Sequence, residues 1–305
     1  MSFKYRVYGL NIESEIELEE LVKIEDNQCN QIDVKIIYGK TNNKIKNQVK
    51  SNSWIGTDIN DICVYTKDIA IYQIKNGNTI IIEPLKDKDN ERIKSFLLGW
   101  SFGILLIQRK TIALHGSAIS KGDKAIIISG KSKAGKSTLA SAFNNKGYKF
   151  LSDDVVALDI LKDSVLAQPA YPQNKICEDV MKVLGYNKKN YEINKKDTER
   201  IRYKVPVNQM FEPKPCKVQA IFEIVSKDEY EKVSIEKIEG NKKIDYMLNN
   251  IYFFGVESSI GTRPEYFKKA IQLINSIPLY KIKRPSDKIT IEEQMDLVEN
   301  ELSEL

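Results

Sequence analysis

The sequence has little histidine and no clustered cysteine. Of its 305 residues one is histidine, His115, and four are cysteines, Cys29, Cys63, Cys177 and Cys216. No two cysteines form a C-x-x-C pair, so no zinc site can be assembled from neighbouring ligands. The pattern predicts free thiols, as in a protein of the reducing cytoplasm.

Charge of one sign and long apolar runs are also scarce. The formal net charge is +5, from 47 basic and 42 acidic residues, without the clustered basic surface that nucleic-acid binding requires. The best membrane-span candidate, Phe96 to Ile107, has 12 residues, against the roughly 20 that cross a bilayer. The N-terminal segment also lacks the basic and apolar regions of a secretory signal. We therefore expect a cytoplasmic protein without nucleic-acid or membrane partners.

The strongest functional signal is the stretch Ala125 to Phe143, AIIISGKSKAGKSTLASAF. A short β-branched run leads into a segment that fits G-x-x-x-x-G-K-[ST], and a helical pattern follows. In such a loop the amides and the helix N-terminus hold phosphate, the lysine adds a positive charge and the final hydroxyl ligates Mg²⁺. The two additional lysines are either further phosphate ligands or solvated charges on a turn. The motif predicts a site for ATP, or another nucleoside triphosphate, with Mg²⁺, formed by Gly130, Lys131, Ser132, Lys133, Ala134, Gly135, Lys136, Ser137 and Thr138.

Two adjacent aspartates, Asp153 and Asp154, lie in the next predicted strand, Tyr148 to Leu158. Asp153 follows Ser137 by 16 positions, a spacing that favours a kinase over a switch GTPase or a transport ATPase. Neighbouring side chains on an extended strand project to opposite sides, so we expect one carboxylate to hold Mg²⁺ and the other to orient or deprotonate an acceptor hydroxyl. The alternative is a solvated turn at a strand end.

His115 lies in an apolar strand just before the phosphate-loop strand, and the turn Lys121 to Lys124 separates the two strands. This arrangement predicts a β-hairpin. The imidazole is then either a hydrogen-bond donor near the transferred phosphoryl group, a partner of Asp153, or a structural residue.

Three segments in close succession resemble the catalytic domain of HPr kinase/phosphorylase. They are LHGSAIS at Leu114–Ser120, ISGKSKAGKST at Ile128–Thr138 and FLSDDVVAL at Phe150–Leu158. The chain looks closer still to the HPr-kinase-like proteins of peptide-modifying systems, including kinases of lasso-peptide precursors. It has no counterpart of the glycine- and arginine-rich segment that the HPr enzymes use in dephosphorylation, so the resemblance does not extend to that reverse reaction.

The resemblance implies a role for each matching residue. Lys136 would bind the β- and γ-phosphates, Ser137 and Asp154 would hold Mg²⁺, Asp153 would be the catalytic base, and His115 would lie beside them. The roles of the two aspartates are open to exchange. The implied partners are ATP and a peptide or protein with an acceptor serine or threonine, and a homo-oligomer is possible because the HPr enzymes form hexamers.

The remaining patterns predict the organisation of the chain. We expect an α/β fold, a P-loop kinase core of the HPr kinase type with a mixed sheet flanked by helices, and an N-terminal β-rich lobe. The predicted divisions are residues 1–88 for the lobe, 89–290 for the catalytic domain and 291–305 for an acidic helix that packs loosely or frays. Within them the sequence predicts a hairpin turn at Lys75–Asn78, a helix over Asp89–Lys110, a turn at Tyr171–Lys175 before a helix from Cys177 to Leu184, an exposed loop at Thr41–Ser53 and a basic loop at Tyr186–Val205.

Three functions fit this sequence. The first is an ATP-dependent kinase of serine or threonine hydroxyls on a ribosomal peptide or protein, favoured by the histidine strand and the β-rich lobe. The second is a small-molecule hydroxyl kinase, because such enzymes also place an aspartate on the strand after the loop helix. The third is a regulator that binds ATP without transferring phosphate.

Overall fold

The computed structural model describes residues 2–25, 27, 29–41, 54–85, 90–194, 201–252 and 264–305. These residues form an α/β structure with mixed sheets and helices. The chain divides into two compact units, Met1–Thr111 with Phe253–Phe267, and Ile112–Tyr252 with Lys268–Leu305. Most of the predicted loop Thr41–Ser53 lies outside the described residues.

The first unit contains an eight-stranded sheet in the order β3-β1-β2-β4-β8-β7-β6-β5. Its pairs are antiparallel except β2–β4 and β4–β8. The predicted hairpin turn is confirmed, with Asn76 and Gly77 at positive φ between β7 and β8. The strands are β1 (Phe3–Val7), β2 (Leu10–Ser14), β3 (Val22–Lys23), β4 (Val34–Tyr38), β5 (Trp54–Asp58), β6 (Asp61–Thr66), β7 (Ala70–Lys75) and β8 (Thr79–Pro84).

The helix predicted over Asp89–Lys110 is confirmed between Asn90 and Gln108. It consists of α1 (Asn90–Phe96), a π-helical segment (Leu97–Ser101) and α2 (Phe102–Gln108). Every residue of α2 is buried, which explains why none of them except Gln108 is polar.

The second unit is built on a larger mixed sheet. Antiparallel pairing joins β9 to β10, β12 to β9, β13 to β12 and β17 to β13, and parallel pairing of β10 with β17 closes these five strands into a ring. Strand β17 also pairs in parallel with β19, so β10, β17 and β19 all end at one edge of the sheet. The strands are β9 (Ile112–Lys121), β10 (Lys124–Gly130), β11 (Lys149–Ser152), β12 (Val155–Ile160), β13 (Val165–Ala167), β17 (Cys216–Lys227), β18 (Ser234–Lys237) and β19 (Leu279–Pro285).

The helices of the second unit pack mainly on this sheet. The acidic C-terminal helix was expected to pack loosely, and that expectation was wrong: it contacts the helix that follows the phosphate loop, and Met295 and Val298 are buried in the shared core. Apolar residues on its inner face decide this, despite the exposed acidic residues. The helices are α3 (Lys136–Asn145), α4 (Glu178–Met181), α5 (Lys242–Asn250), α6 (Pro264–Ser276), whose first four residues belong to the first unit, and α7 (Ile291–Ser303).

A separate three-stranded antiparallel sheet replaces the predicted turn and part of the basic loop. It consists of β14 (Gln173–Cys177), β15 (Glu192–Ile193) and β16 (Arg202–Pro206), with β16 in the centre. The turn prediction at Tyr171–Lys175 was wrong, since Lys175 lies within β14. The helix predicted from Cys177 to Leu184 is confirmed but shorter, because α4 ends at Met181. Ile176 of β14, and Tyr203 and Val205 of β16, enter the core, which stabilises both as strands. The basic residues Lys195, Lys196 and Arg200 lie outside the described residues.

Close packing of β10 against β17 requires glycine at position 130. A Cβ on Gly130 would lie 2.4 Å from the Ile224 carbonyl oxygen, whereas one on Gly122, in the turn before β10, would meet nothing within 4 Å. Both glycines have positive φ. We expect Gly130→Ala to lower the free energy of unfolding by about 1–3 kcal/mol more than Gly122→Ala, because only the former adds a steric clash. Urea unfolding followed by circular dichroism measures this, and equal losses would contradict it.

Candidate active site

The phosphate-loop motif forms a strand, a loop and a helix as predicted. Strand β10 ends at Gly130, residues 131–135 form the loop, and α3 begins at Lys136. Gly135 has φ 110° and Lys133 has φ 70°, so the loop curls through conformations that favour glycine. The first amides of the ten-residue helix α3 have no partner within the helix, and this end of a helix attracts anions.

Lys136 is the most buried cation of the loop. Its side chain lies at the start of α3, and its Nζ donates hydrogen bonds to the carbonyls of Gly130 at 2.9 Å and Lys131 at 3.1 Å. Burial lowers the pKa of Lys136, while the nearby carboxylates of Asp153 and Asp154 act in the opposite direction. The ammonium group is therefore close to both aspartates.

The strand predicted over Tyr148–Leu158 is interrupted at the two aspartates. Strand β11 ends at Ser152 and β12 begins at Val155, with Asp154 in the left-handed region at φ 73°. The expectation that an extended backbone sends the two carboxylates to opposite sides was therefore wrong. Asp153 and Asp154 line the same cavity.

Asp153 connects three parts of the unit. Its Oδ1 accepts hydrogen bonds from the hydroxyl of Ser137 at 2.8 Å and from the hydroxyl of Ser117 at 2.6 Å. Ser137 is on the helix α3, and Ser117 is a fully buried residue of β9. A short hydrogen bond to an ionised carboxylate is stronger than a neutral one, so these contacts fix the carboxylate beside the loop.

Asp154 has different neighbours. Its Oδ1 lies 3.5 Å from Nδ1 of His115, and its Oδ2 lies 3.9 Å from Nζ of Lys175. His115 Nδ1 is also 3.2 Å from the Asp154 carbonyl oxygen. Because a carbonyl only accepts, the proton of the neutral imidazole is assigned to Nδ1, which leaves Nε2 as an acceptor.

Burial lowers the pKa of His115, and the positive charge of Lys136 lowers it further, against the opposing effect of Asp154. The imidazole is thus held neutral at pH 7. As pH falls below the ordinary value of 6.5, the unfolded chain binds the proton before the folded one, so the fold loses stability.

These residues surround one cavity of about 510 Å³, within the usual size range of ligand sites. The residues predicted from sequence that line it are His115, Ser132, Lys133, Gly135, Lys136, Ser137, Thr138, Asp153 and Asp154. Gly130, Lys131 and Ala134 are not on its wall; their carbonyls instead accept hydrogen bonds from Lys136 and Arg284.

The three-stranded sheet supplies one wall of the cavity. Lys175 and Arg202 line the cavity, whereas Ile176 and Tyr203 on the opposite face belong to the core. The alternation of a strand therefore places the cations on the cavity face. Arg202 also lies close enough to Lys136 to lower its pKa.

Sequence reasoning missed Arg284, the penultimate residue of β19. Its Nε donates to the Ala134 carbonyl at 3.3 Å and its Nη1 to the Lys288 carbonyl at 3.1 Å, so it holds the phosphate loop against the segment that precedes α7. The role of Ser117 was missed as well. The available signal for Arg284 was its position at the carboxyl end of a strand pattern, since ligands collect at the carboxyl ends of parallel strands.

The described residues contain no group of three or more histidine, cysteine, aspartate or glutamate side chains placed to hold a metal ion. A magnesium ion is commonly held by one or two protein oxygens together with phosphates and waters, and the oxygens of Ser137 and Asp153 fit that chemistry. In the part of the chain that the structure describes, none of the helices has the length and apolar character to span a bilayer.

Similarity to known proteins is found among solved structures. No protein-family model and no curated protein matches the chain. Among solved structures, the Hpr(Ser) kinase/phosphatase from Coxiella burnetii is similar over 63% of this chain and 91% of its own, with 14% sequence identity and a TM-score of 0.34. A likeness this low carries no assignment of activity or of site residues.

The single histidine makes the electrostatics of the site directly measurable. We expect the one imidazole signal in an NMR titration to give a pKa below 6.5, and Lys136→Ala to raise it because a nearby positive charge is removed. Lys146→Ala is the matched control, since Lys146 is exposed just beyond the other end of α3. A wild-type pKa above 6.5, or equal effects of the two substitutions, would contradict the arrangement.

Proposed function

We propose that this protein is an ATP- and Mg²⁺-dependent kinase that transfers the γ-phosphoryl group to a serine or threonine hydroxyl of a peptide or protein. The observation that carries the proposal is the pair of carboxylates beside the phosphate loop. Asp153 is hydrogen-bonded to the loop hydroxyl of Ser137, and Asp154 contacts His115 and Lys175.

The phosphate loop would bind the triphosphate. The amides at the start of α3 and the ammonium group of Lys136 provide the positive potential, and Lys175, Arg202 and Arg284 add to it from the other walls. Six cationic and four acidic side chains line the cavity, so the excess of positive charge suits a polyphosphate. They are Lys133, Lys136, Lys175, Arg202, Arg284 and Lys288, with Asp153, Asp154, Asp179 and Asp287.

The resemblance implies Asp153 as the base and Asp154 as the metal ligand, but the contacts of the two side chains favour the reverse. Ser137 and Asp153 share a hydrogen bond, so they would hold Mg²⁺ together, and the bound ion would neutralise charge on the phosphates. Asp154 lies next to His115 rather than Ser137. Asp154 would therefore accept the proton of the acceptor hydroxyl, with His115 fixing its orientation from the Nδ1 side.

Arg202 and Lys175 would stabilise the negative charge that develops on the transferred group. Arg202 perturbs the pKa of Lys136, and Lys175 lies 3.9 Å from Asp154, so both cations border the position between loop and aspartates. Cations placed there act as an arginine finger supplied by the same chain. The finer resemblance to kinases of lasso-peptide precursors supports a ribosomal peptide as the acceptor.

Binding of ATP is tested through the cysteines. Cys177 lines the cavity and is partly exposed. We expect Mg-ATP to slow alkylation of Cys177 and leave Cys29, which is partly exposed in the other unit, unchanged. Burial raises the pKa of the Cys63 thiol to about 12, and burial also raises that of Cys216, so both should react slowly throughout.

Mass spectrometry of the alkylated peptides measures each rate in the same sample. Lys136→Ala should abolish the protection by weakening phosphate binding. Equal protection of Cys29 and Cys177, or no protection in the wild type at saturating Mg-ATP, would contradict the proposed nucleotide site.

Transfer is tested with γ-labelled ATP and a serine-containing peptide library. We expect Asp154→Asn to lower turnover by a factor of about 10²–10⁴, the usual contribution of a general base, with affinity for ATP retained. Asp163→Asn is the control, because Asp163 is exposed in the turn before β13. Activity of Asp154→Asn within a fewfold of wild type would contradict the role of Asp154.

The same assay separates the alternatives. When small hydroxyl metabolites are added to the peptides, label that appears only on a metabolite supports a small-molecule kinase. Binding of ATP without any transfer supports a regulator.

A further inference from the structure

A second cavity of about 230 Å³ lies beside the candidate active site in the same unit. It is bordered by the C-terminal end of α3, the turn after α4 and the start of α7. We call it the side groove, and its apolar wall consists of Val183, Leu184, Ile289, Ile291 and Met295.

The side groove adjoins the larger cavity. Ile289 and Ile291 line both. Between them Thr290 is buried, and its carbonyl and hydroxyl oxygens accept hydrogen bonds from Gln294 Nε2 at 3.0 and 3.1 Å. These bonds anchor the segment to α7, so the shared wall between the two cavities is fixed.

Aliphatic side chains are exposed at the side groove. Val183 is 52% exposed and Ile289 is 66% exposed, while Leu184 and Met295 are buried beside them. Single exposed aliphatic residues are common, but two that flank one concave apolar surface form a binding surface.

The charged residues of the side groove are mainly acidic. Glu292 and Glu293 line it at the start of α7, and Lys146 is the cation among its lining residues. Lys146 Nζ is 3.4 Å from Glu299 and 4.0 Å from Asp296, so its charge is already offset. The local potential therefore favours a cationic partner and disfavours a phosphate group.

We propose that the side groove binds the acceptor polypeptide, taking an aliphatic side chain and an adjacent lysine or arginine that lie a few residues from the phosphorylated hydroxyl. This inference rests on the proposed kinase function. Because Ile289 and Ile291 line both cavities, a side chain bound in the side groove would lie close to the reacting hydroxyl. The acidic wall would select the basic neighbour.

The test is a peptide library with one fixed serine and degenerate flanking positions, phosphorylated with γ-labelled ATP. The wild type should select an aliphatic residue and a lysine or arginine at fixed offsets. Val183→Asp should raise KM for the selected peptide about tenfold, since it removes a hydrophobic contact. The double change Glu292→Lys and Glu293→Lys should shift the basic preference toward acidic residues. Leu248→Asp, at another exposed aliphatic residue on α5, is the matched control.

A second measurement separates failure of the groove from failure of the kinase. The same peptides, immobilised, are incubated with the protein and a non-hydrolysable ATP analogue. Groove-dependent binding without any phosphate transfer would support the groove and overturn the kinase. Phosphate transfer that Val183→Asp and the charge reversal leave unchanged would overturn the groove alone, and so would the absence of any peptide binding.

Two other occupants of the side groove would give different results in these experiments. Weaker ATP-analogue binding in Val183→Asp would identify the groove as a nucleobase site. Loss of a dimer in sedimentation analysis of Val183→Asp, without a change in peptide preference, would identify a second copy of the chain. Either result would overturn the proposal.

Discussion

The candidate site depends on one buried carboxylate that accepts two hydroxyl groups. Asp153 receives hydrogen bonds from Ser117 on β9 and Ser137 on α3. These bonds join strand β9 and helix α3 to the two residues that separate β11 from β12. A carboxylate that is only 8% exposed requires such partners. Its position determines where Asp154, the next residue, meets His115.

Much of the fold follows from local sequence patterns. The hairpin of β9 and β10, the phosphate loop and the helix α3 were predictable because glycine turns, β-branched runs and a helical period coincide there. The same holds for α6 (Pro264–Ser276), whose apolar residues recur at helical spacing. In these segments the local preference and the tertiary environment agree.

The failures have a common physical cause in contacts between distant segments. The sequence FLSDDVVAL reads as one strand, but hydrogen bonds to Asp153 from two other elements accompany a break in it. Lys175 lies within a strand because its neighbour Ile176 and the cross-strand residue Tyr203 are buried in the core. Tyr203 is distant in sequence, so the residues around Tyr171–Lys175 do not reveal this packing. The contact of Arg284 with the Ala134 carbonyl spans 150 positions. No local pattern encodes such pairs.

The left-handed backbone at Asp154 affects how this position tolerates other residues. Aspartate and asparagine adopt φ near +60° more readily than other residues with a Cβ, whereas alanine or valine there would strain the peptide. The residues that position 154 accepts without strain are therefore restricted by its backbone conformation. In an alanine scan, part of the effect measured for Asp154→Ala would come from backbone strain rather than from the loss of the carboxylate.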